Sequence, residues 1–541
     1  MRLTLAVALA ATAWSTSQAA APAADVIVYG GTAAGVAAAV QTARMGRSVI
    51  LVAPEKHIGG ITVEGLGSAD INNHWFRNDL AVGGLAAEFY ARLGRKYGKN
   101  GPVYRYESHV AESVFADMLR EAKVTVVGES RLREPLASSV RWGEGRALRA
   151  IIVESGQEYA GRMFLDCTLE GDLLKAAGVD TTFGRESNHL YGETKNGIRA
   201  ETTHAQFKVR VDPYRTPGDA KSGLIPTIQD EPLGTPGEGD HNIQAFCFRL
   251  CLTRNPANRI PFRKPANFDR SLYEIYFRYV RAGGKLWTPI ATLPNGKTDL
   301  GSWHDLSANL YGMNREWPDG SYATRERIYD EHRTFTQGLL WLLANDPEMP
   351  EDLRAEWQKW GLCGDEFTDN EGWPRRLYVR DGRRMVSGYV ITEHHTQRTN
   401  PLPVADPVAV AYWPTDTHSV RRIVRDGAAY NEGFVFDDGN WGPFGIAYRA
   451  LLPKRSQAAN LLTPTCPSSS HVAYGAIRLE QTFLSLGQAA ATASVLALER
   501  NTALHDLEYN VLRKRLVDDG QIVSVALPQA KDGPTRDKEK H

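Results

Sequence analysis

Near the start of the chain, Gly30-Gly31-Thr32-Ala33-Ala34-Gly35 has the residue types and spacing to hold a dinucleotide. It lies between an apolar run, Val26 to Tyr29, and an Ala-rich segment, Val36 to Met45. Glycines so placed let the chain turn sharply at Gly30, admit a pyrophosphate to the backbone, and pack a helix closely at Gly35 with its N-terminus aimed at phosphate. Thr32 stands where a second glycine is usual; its small side chain fits, and its hydroxyl can donate to a phosphate oxygen. The acid that would hold an adenosine ribose belongs about 20 residues further on, at the end of the next strand. Ala53 takes that place, and Glu55 reaches the ribose if the strand ends late. Lys56 would favour a 2′-phosphate, so an NADP-type ligand stays open. The following His57-Ile58-Gly59-Gly60-Ile61-Thr62 and Gly65-Leu66-Gly67 suggest backbone lying flat against a large ligand. A simple NAD-binding domain has no use for that segment.

The elements that must position these residues are legible from periodicity. Val26–Tyr29 and Ser48–Val52 read as buried strands around a helix that stops at Gly46, a βαβ unit that favours an α/β fold with a parallel sheet. Val124–Val127 is a further strand; Leu148–Glu154, Glu158–Ala160 and Met163–Leu165 form an antiparallel ribbon leading into a last strand. Between about 200 and 450 the pattern loosens into Pro- and Trp-rich sequence with one clear helix, Arg325–Ala344. Helical periodicity returns at Tyr474–Phe483 and Gln488–Glu499. The expected organisation is a nucleotide-binding domain from residues 25–195 and 451–515, an inserted α+β substrate domain at 196–450, and a tail at 516–541, charged after Pro528.

Composition narrows the partners. The 541 residues carry 63 Lys+Arg against 63 Asp+Glu, a balance that argues against nucleic acid or an anionic membrane surface. Five cysteines are too few for a disulfide framework. Arg2, the apolar run Leu3 to Trp14 and Ser17-Gln18-Ala19 have the layout of a signal peptide over residues 1–20, which places the mature protein in the periplasm or outside the cell. That run is too short to span a bilayer, and no other stretch approaches about 20 apolar residues. With 12 Trp and 21 Tyr, the chain has material for an aromatic cleft that suits a sugar.

The glycine turn, His57-Ile58-Gly59-Gly60 and the segment Phe164-Leu165-Asp166-Cys167-Thr168-Leu169-Glu170-Gly171-Asp172-Leu173 together resemble the FAD-dependent oxidoreductase family often labelled "xanthan lyase-like". So do Arg383-Arg384-Met385, Tyr448-Arg449 with Leu451-Leu452-Pro453, Ser470-His471 and Leu486-Gly487-Gln488-Ala489-Ala490. The resemblance runs from about 25 to 500. It implies a glutathione-reductase-like FAD/NAD(P)-binding Rossmann domain with an inserted substrate domain, and FAD as cofactor. It also implies that Gly30, Gly31 and Gly35 bind pyrophosphate, that Gly59 and Gly60 line the flavin, and that Asp166 sits beside the ribityl-pyrophosphate region. Gly487 and Gln488 would open the last helix, whose positive end points at the flavin pyrimidine ring. The departures are Ala53, where Glu is common, and Cys167, where Ala is common. A lone Cys247-x₃-Cys251 is no iron–sulfur ligand set.

Flavin chemistry needs a base to take a substrate proton. His471, just before the last helix, is the first candidate and His418 the second, with Asp416 to orient it and Trp413 nearby. His57 could link covalently to the ring, Arg384 and Arg478 could hold a carboxylate or an anionic flavin, and Glu393-His394-His395 lacks a third spaced metal ligand. Ser468-Ser469-Ser470 lacks the context of a nucleophile elbow. The reading is an exported oxidoreductase that moves hydride between flavin and a small organic substrate, a carbohydrate or polyol, with an unidentified electron acceptor. Its rivals are an NAD(P)-dependent dehydrogenase, a polysaccharide lyase, and a glycan-binding protein on a retained nucleotide fold.

Overall fold

The first apolar run forms β1 (Ala23–Tyr29), the Ala-rich segment α1 (Ala33–Arg44), and the next run β2 (Val49–Val52). This is a computed structural model, and it describes residues 21–526 apart from 73–75, 203, 303 and 437–438. The signal peptide expected over residues 1–20 and the charged stretch after Pro528 lie outside the described residues.

Helices α2 (Gly84–Lys96) and α3 (Ser108–Glu121) lead to β3 (Thr125–Val127). The ribbon follows as β4 (Val140–Trp142), β5 (Leu148–Ile152) and β6 (Glu158–Asp166), the last absorbing two runs that periodicity had split. In the sheet the order is β3-β2-β1-β6-β5-β4, parallel from β3 to β6 and antiparallel beyond. Val26 to Tyr29 and all of β2 are buried, as strands covered on both faces must be. The long helix of the middle region is α4 (Tyr322–Asn345), capped by Ser321 and buried along Ile328, Phe335, Leu339 and Leu343.

The far end of the chain returns to this sheet. Strand β7 (Leu461–Leu462) pairs in parallel with Phe164 and Leu165 in the second half of β6, while β5 holds the first half. Two helices follow, α5 (His471–Ile477) and α6 (Glu480–Arg500). The single helix expected over Tyr474–Phe483 is therefore broken. The break falls at Leu479, whose backbone is extended, and neither glycine nor proline marks it.

Helix α6 lies along α1, and small residues let the two approach closely. A methyl on Gly487 would sit 2.2 Å from the Ala34 carbonyl oxygen. Gly487 and Gln488 thus fall two turns inside α6 rather than at its start, which corrects the role expected of them. Gln488 instead accepts the Leu85 amide at 2.7 Å, closing the first turn of α2. The last helix is α7 (Tyr509–Asp518), with Leu516 and, beyond it, Val523 buried. The Gln521 amide donates to the Val408 and Ser485 carbonyls. Residues 516–526, assigned above to a tail, are docked on the fold. Among the described residues no helix is long and apolar enough to cross a membrane.

Candidate functional site

The glycine turn is built by crowding. Gly30 has φ +109°, and a methyl there would lie 2.6 Å from the Cys167 carbonyl carbon; a methyl on Gly35 would lie 2.0 Å from the Gly30 oxygen. Only glycine fits either place. Thr32 caps α1 by accepting the Gly35 amide at 3.3 Å, and its hydroxyl proton goes to the Cys167 carbonyl at 2.7 Å. That proton is therefore committed to the fold, not to a phosphate oxygen. Gly59 bridges to Thr32, and its amide donates to the Gly31 carbonyl at 2.6 Å; Gly60 packs on Thr32. The second glycine segment thus forms one wall of the turn. Asp166 ends β6 beside Tyr29, but Oδ1 accepts from Thr168 and Oδ2 from the Leu174 amide. Burial raises its pKa to about 6. It shapes its own loop and leaves no oxygen for a ligand.

Glu55 is the residue the spacing argument left in doubt. Its Oε1 accepts from Arg376 Nη1 at 3.0 Å, while Oε2 is buried, makes no well-aligned hydrogen bond and is turned to the Gly31 backbone, where a methyl would stand 3.4 Å away. A buried carboxylate oxygen with no well-aligned donor at a glycine turn fits a ribose diol. Lys56, the residue that kept a 2′-phosphate open, instead binds Asp369 at 3.0 Å. The cramped turn, the free N-terminal amides of α1 and the Glu55 oxygen together suit the pyrophosphate and ribose of FAD. Glu55→Gln should weaken FAD binding by about tenfold or more, one charge-assisted hydrogen bond, read by titrating the apoprotein with FAD.

A train of polar groups leads away from the turn. Arg376, 321 residues from Glu55 in sequence, also reaches Glu170 at 3.4 Å, and its buried Nε has no partner. Its charge acts on Glu480, the first residue of α6, whose Oε2 accepts from Thr62 at 2.7 Å. Gln481 Oε1 beside it is buried and unpartnered. The positive end of this helix is therefore at Glu480-Gln481 rather than at Gly487.

Burial raises the Glu480 pKa from 4.5 to about 7. A carboxyl so shifted stabilises the fold fully below pH 4.5, and that contribution is lost as pH rises toward 7, on the order of 3 kcal/mol in all. Glu480→Gln removes the titration. Its melting temperature should match wild type at pH 4.5 and exceed it by a few degrees at pH 7.5, by calorimetry.

Arg478, two residues before Glu480, lines a cleft of about 320 Å³ together with Arg249, Tyr378, Trp413, Asp416 and His418. Arg478 Nη1 donates to the Tyr378 hydroxyl at 2.7 Å, and Nη2 lies 3.2 Å from Asp416 Oδ2; its Nε is buried and unpartnered. Asp416 Oδ1 accepts no hydrogen bond and stands 3.4 Å from His418 Nε2. Burial first, then the charges of Arg380, Arg478 and Arg249, push His418 well below the usual histidine range, so its imidazole is neutral.

His471 opens α5 behind the cleft, and its backbone amide donates to Glu186 at 2.9 Å. Both its ring nitrogens are buried without a hydrogen bond, Nδ1 lying 3.4 Å from Asp381 Oδ2. Buried polar atoms without partners are rare in folded proteins. Several of them gather at this site, on Glu55, Arg376, Gln481, Arg478, Asp416 and His471.

The remaining candidates have structural partners. His57 bridges Glu112 and Asp369 through its two ring nitrogens, which leaves neither for a flavin bond. Arg384 is enclosed by Glu186, Asp381 and two carbonyls. Glu393 accepts from Thr194 and Lys195, and His395 caps its own short helix. All five cysteines are buried free thiols. Glu107, His109 and Glu366 cluster as metal ligands would, but Lys297 Nζ lies between them, 2.7 Å from Glu107 and 2.9 Å from Glu366. The ammonium takes the place a metal would need.

No curated protein matches the sequence. Among solved structures the chain is similar to T. acidophilum thioredoxin reductase, at 20% identity over 30% of this chain and 36% of that one, TM-score 0.18. It is also similar to a flavin monooxygenase from Stenotrophomonas maltophilia, at 16% identity over 27% of this chain and 38% of that one, TM-score 0.19. L-proline dehydrogenase from P. horikoshii matches at 13% identity over 31% and 59%, TM-score 0.23. The chain thus covers less than two thirds of each. A far broader match is the family model described as FAD dependent oxidoreductase, which spans residues 25–516. With that model covering the glycine turn, the Glu55 pocket and the cleft alike, the chain belongs to the FAD-dependent oxidoreductases and takes FAD as its cofactor.

Proposed function

We propose that the protein is an exported enzyme that oxidises a hydroxyl group of a small carbohydrate or polyol bound in the cleft beside α5 and α6. The geometry that carries this reading is His418 lining the cleft with Nε2 3.4 Å from Asp416 Oδ1, while burial and the arginines around it disfavour its charged form. FAD supplies the two-electron acceptor. The chain's own residues supply the rest. Gly30, Gly31, Gly35 and Glu55 would hold its pyrophosphate and ribose, and the start of α6 presents the positive end of a 21-residue helix. His418 takes the hydroxyl proton at a ring nitrogen, and Asp416, held by Arg478, steadies the imidazolium that forms. Tyr378 and Trp413 offer aromatic surface to a sugar face. His471 stands behind this pair as a second polar group of the same region. Export rests on the leader-like sequence of residues 1–20.

The test is an anaerobic panel of sugars and polyols mixed with the purified protein. The account expects a yellow protein whose band near ~450 nm bleaches with at least one of them. A colourless protein, or one that cleaves polysaccharide without any electron acceptor, would favour the lyase rival.

A further inference from the structure

We infer that the substrate of this cleft carries a carboxylate, held by the Arg249 guanidinium with Ser302 and Arg380 behind it. The inference rests on the proposed function for the cleft being the substrate site, and narrows that substrate to a sugar acid or other small hydroxy acid. Arg249 binds Asp299 through Nε alone, at 2.7 Å, and the second Asp299 oxygen is taken by the Ser68 amide at 3.0 Å. The two Nη groups of Arg249 donate to no group among the described residues, although its side chain lines the cleft beside Gly301 and Tyr378. Such a free fork matches the two oxygens of a carboxylate.

The charge behind it points the same way. Arg380 is fully buried and stacks on the Tyr378 ring. Its Nη2 donates to Cys247 Sγ at 3.0 Å and to Ser302 Oγ at 3.1 Å, and Nε and Nη1 have no partner. No carboxylate of the described residues bonds to it, and an arginine keeps its proton in a protein. A buried guanidinium without a counter-charge is costly, so a negative group nearby would be strongly favoured. The acids that line the cleft are engaged elsewhere: Asp299 by Arg249, Asp416 by Arg478, and Asp70 acting on Arg478. Ser302 lines the cleft and touches Arg380, which puts the uncompensated charge at the same end as the open fork of Arg249.

The experiment titrates the FAD-loaded protein with D-glucuronate, D-glucose and D-glucose 6-phosphate, reading the shift of the flavin spectrum for binding and its bleaching for turnover. The expected result is glucuronate binding at least about tenfold tighter than glucose, one charge-assisted contact. Arg249→Lys, which keeps the charge and loses the fork, should erase most of that preference, and free tartrate should compete with glucuronate in wild type but far less in the variant. Equal binding of acid and neutral sugar, no response to either carboxylate, or a stronger response to the phosphate would overturn it. So would an Arg249→Lys variant with an altered flavin reduction potential and an unchanged acid preference, since the fork would then serve the flavin. Bleaching by neutral sugars alone would sink this inference and leave the proposed function standing; tight acid binding without bleaching would do the reverse.

Discussion

His418→Asn should slow flavin reduction by the substrate about 10²- to 10⁴-fold, the usual worth of a general base, while the protein stays yellow and folded. Asparagine keeps much of the volume and polarity at a position that packs on Phe434 and whose backbone amide binds Gln244, so the cleft should survive. The measurement is the anaerobic bleaching rate in a stopped flow, against pH. Wild type should lose rate at low pH as the imidazole takes a proton, and the variant's residual rate should show no such fall. Equal rates would remove His418 from the chemistry and return the role to His471, whose buried ring nitrogens make no hydrogen bond.

Gly35→Val should abolish FAD binding. A methyl at this position already meets the Gly30 carbonyl oxygen at 2.0 Å, and valine adds two more carbons against Cys167. The helix must then move away from the turn, which separates the α1 amides from the backbone of Gly30 and Gly31. The purified variant should be colourless, with flavin per chain reduced by about 100-fold or more, since several phosphate contacts go together. Circular dichroism checks that the sheet persists. A yellow variant of wild-type stoichiometry would mean that the pyrophosphate lies elsewhere.

The parts of this site that sequence reveals are those made by neighbours in the chain. The turn from Gly30 to Gly35, the βαβ unit around it and the parallel sheet follow from local spacing and apolar runs. Glu55 was legible only as an alternative, because spacing points to Ala53; β2 ends at Val52, and only the fold shows the Glu55 oxygen returning to Gly31. Arg376 could not be read at all, since its partner lies 321 residues away and nothing local marks it. Arg249, Arg380 and Asp299 meet for the same reason, from separate stretches of a region with little periodicity.

The misplacement of Gly487 and Gln488 has a different cause. Their placement at a helix start came from the family resemblance, whereas here the glycine removes the side chain that would keep α1 and α6 apart. The true start, at Leu479-Glu480, lacks a small polar cap and so left no signal. Thr32 shows the converse. Its residue type was read correctly as suited to the turn, but its hydroxyl serves Cys167 because the β6 loop crosses within 2.7 Å.

A structure of the protein with FAD bound tests the central claim most directly. The account predicts the pyrophosphate against Gly30, Gly31 and the N-terminus of α1, the ribose on Glu55, and the flavin ring between Glu480-Gln481 and the cleft that His418 lines. A pyrophosphate away from the glycine turn, or a flavin ring walled off from His418 and Arg249, would contradict it.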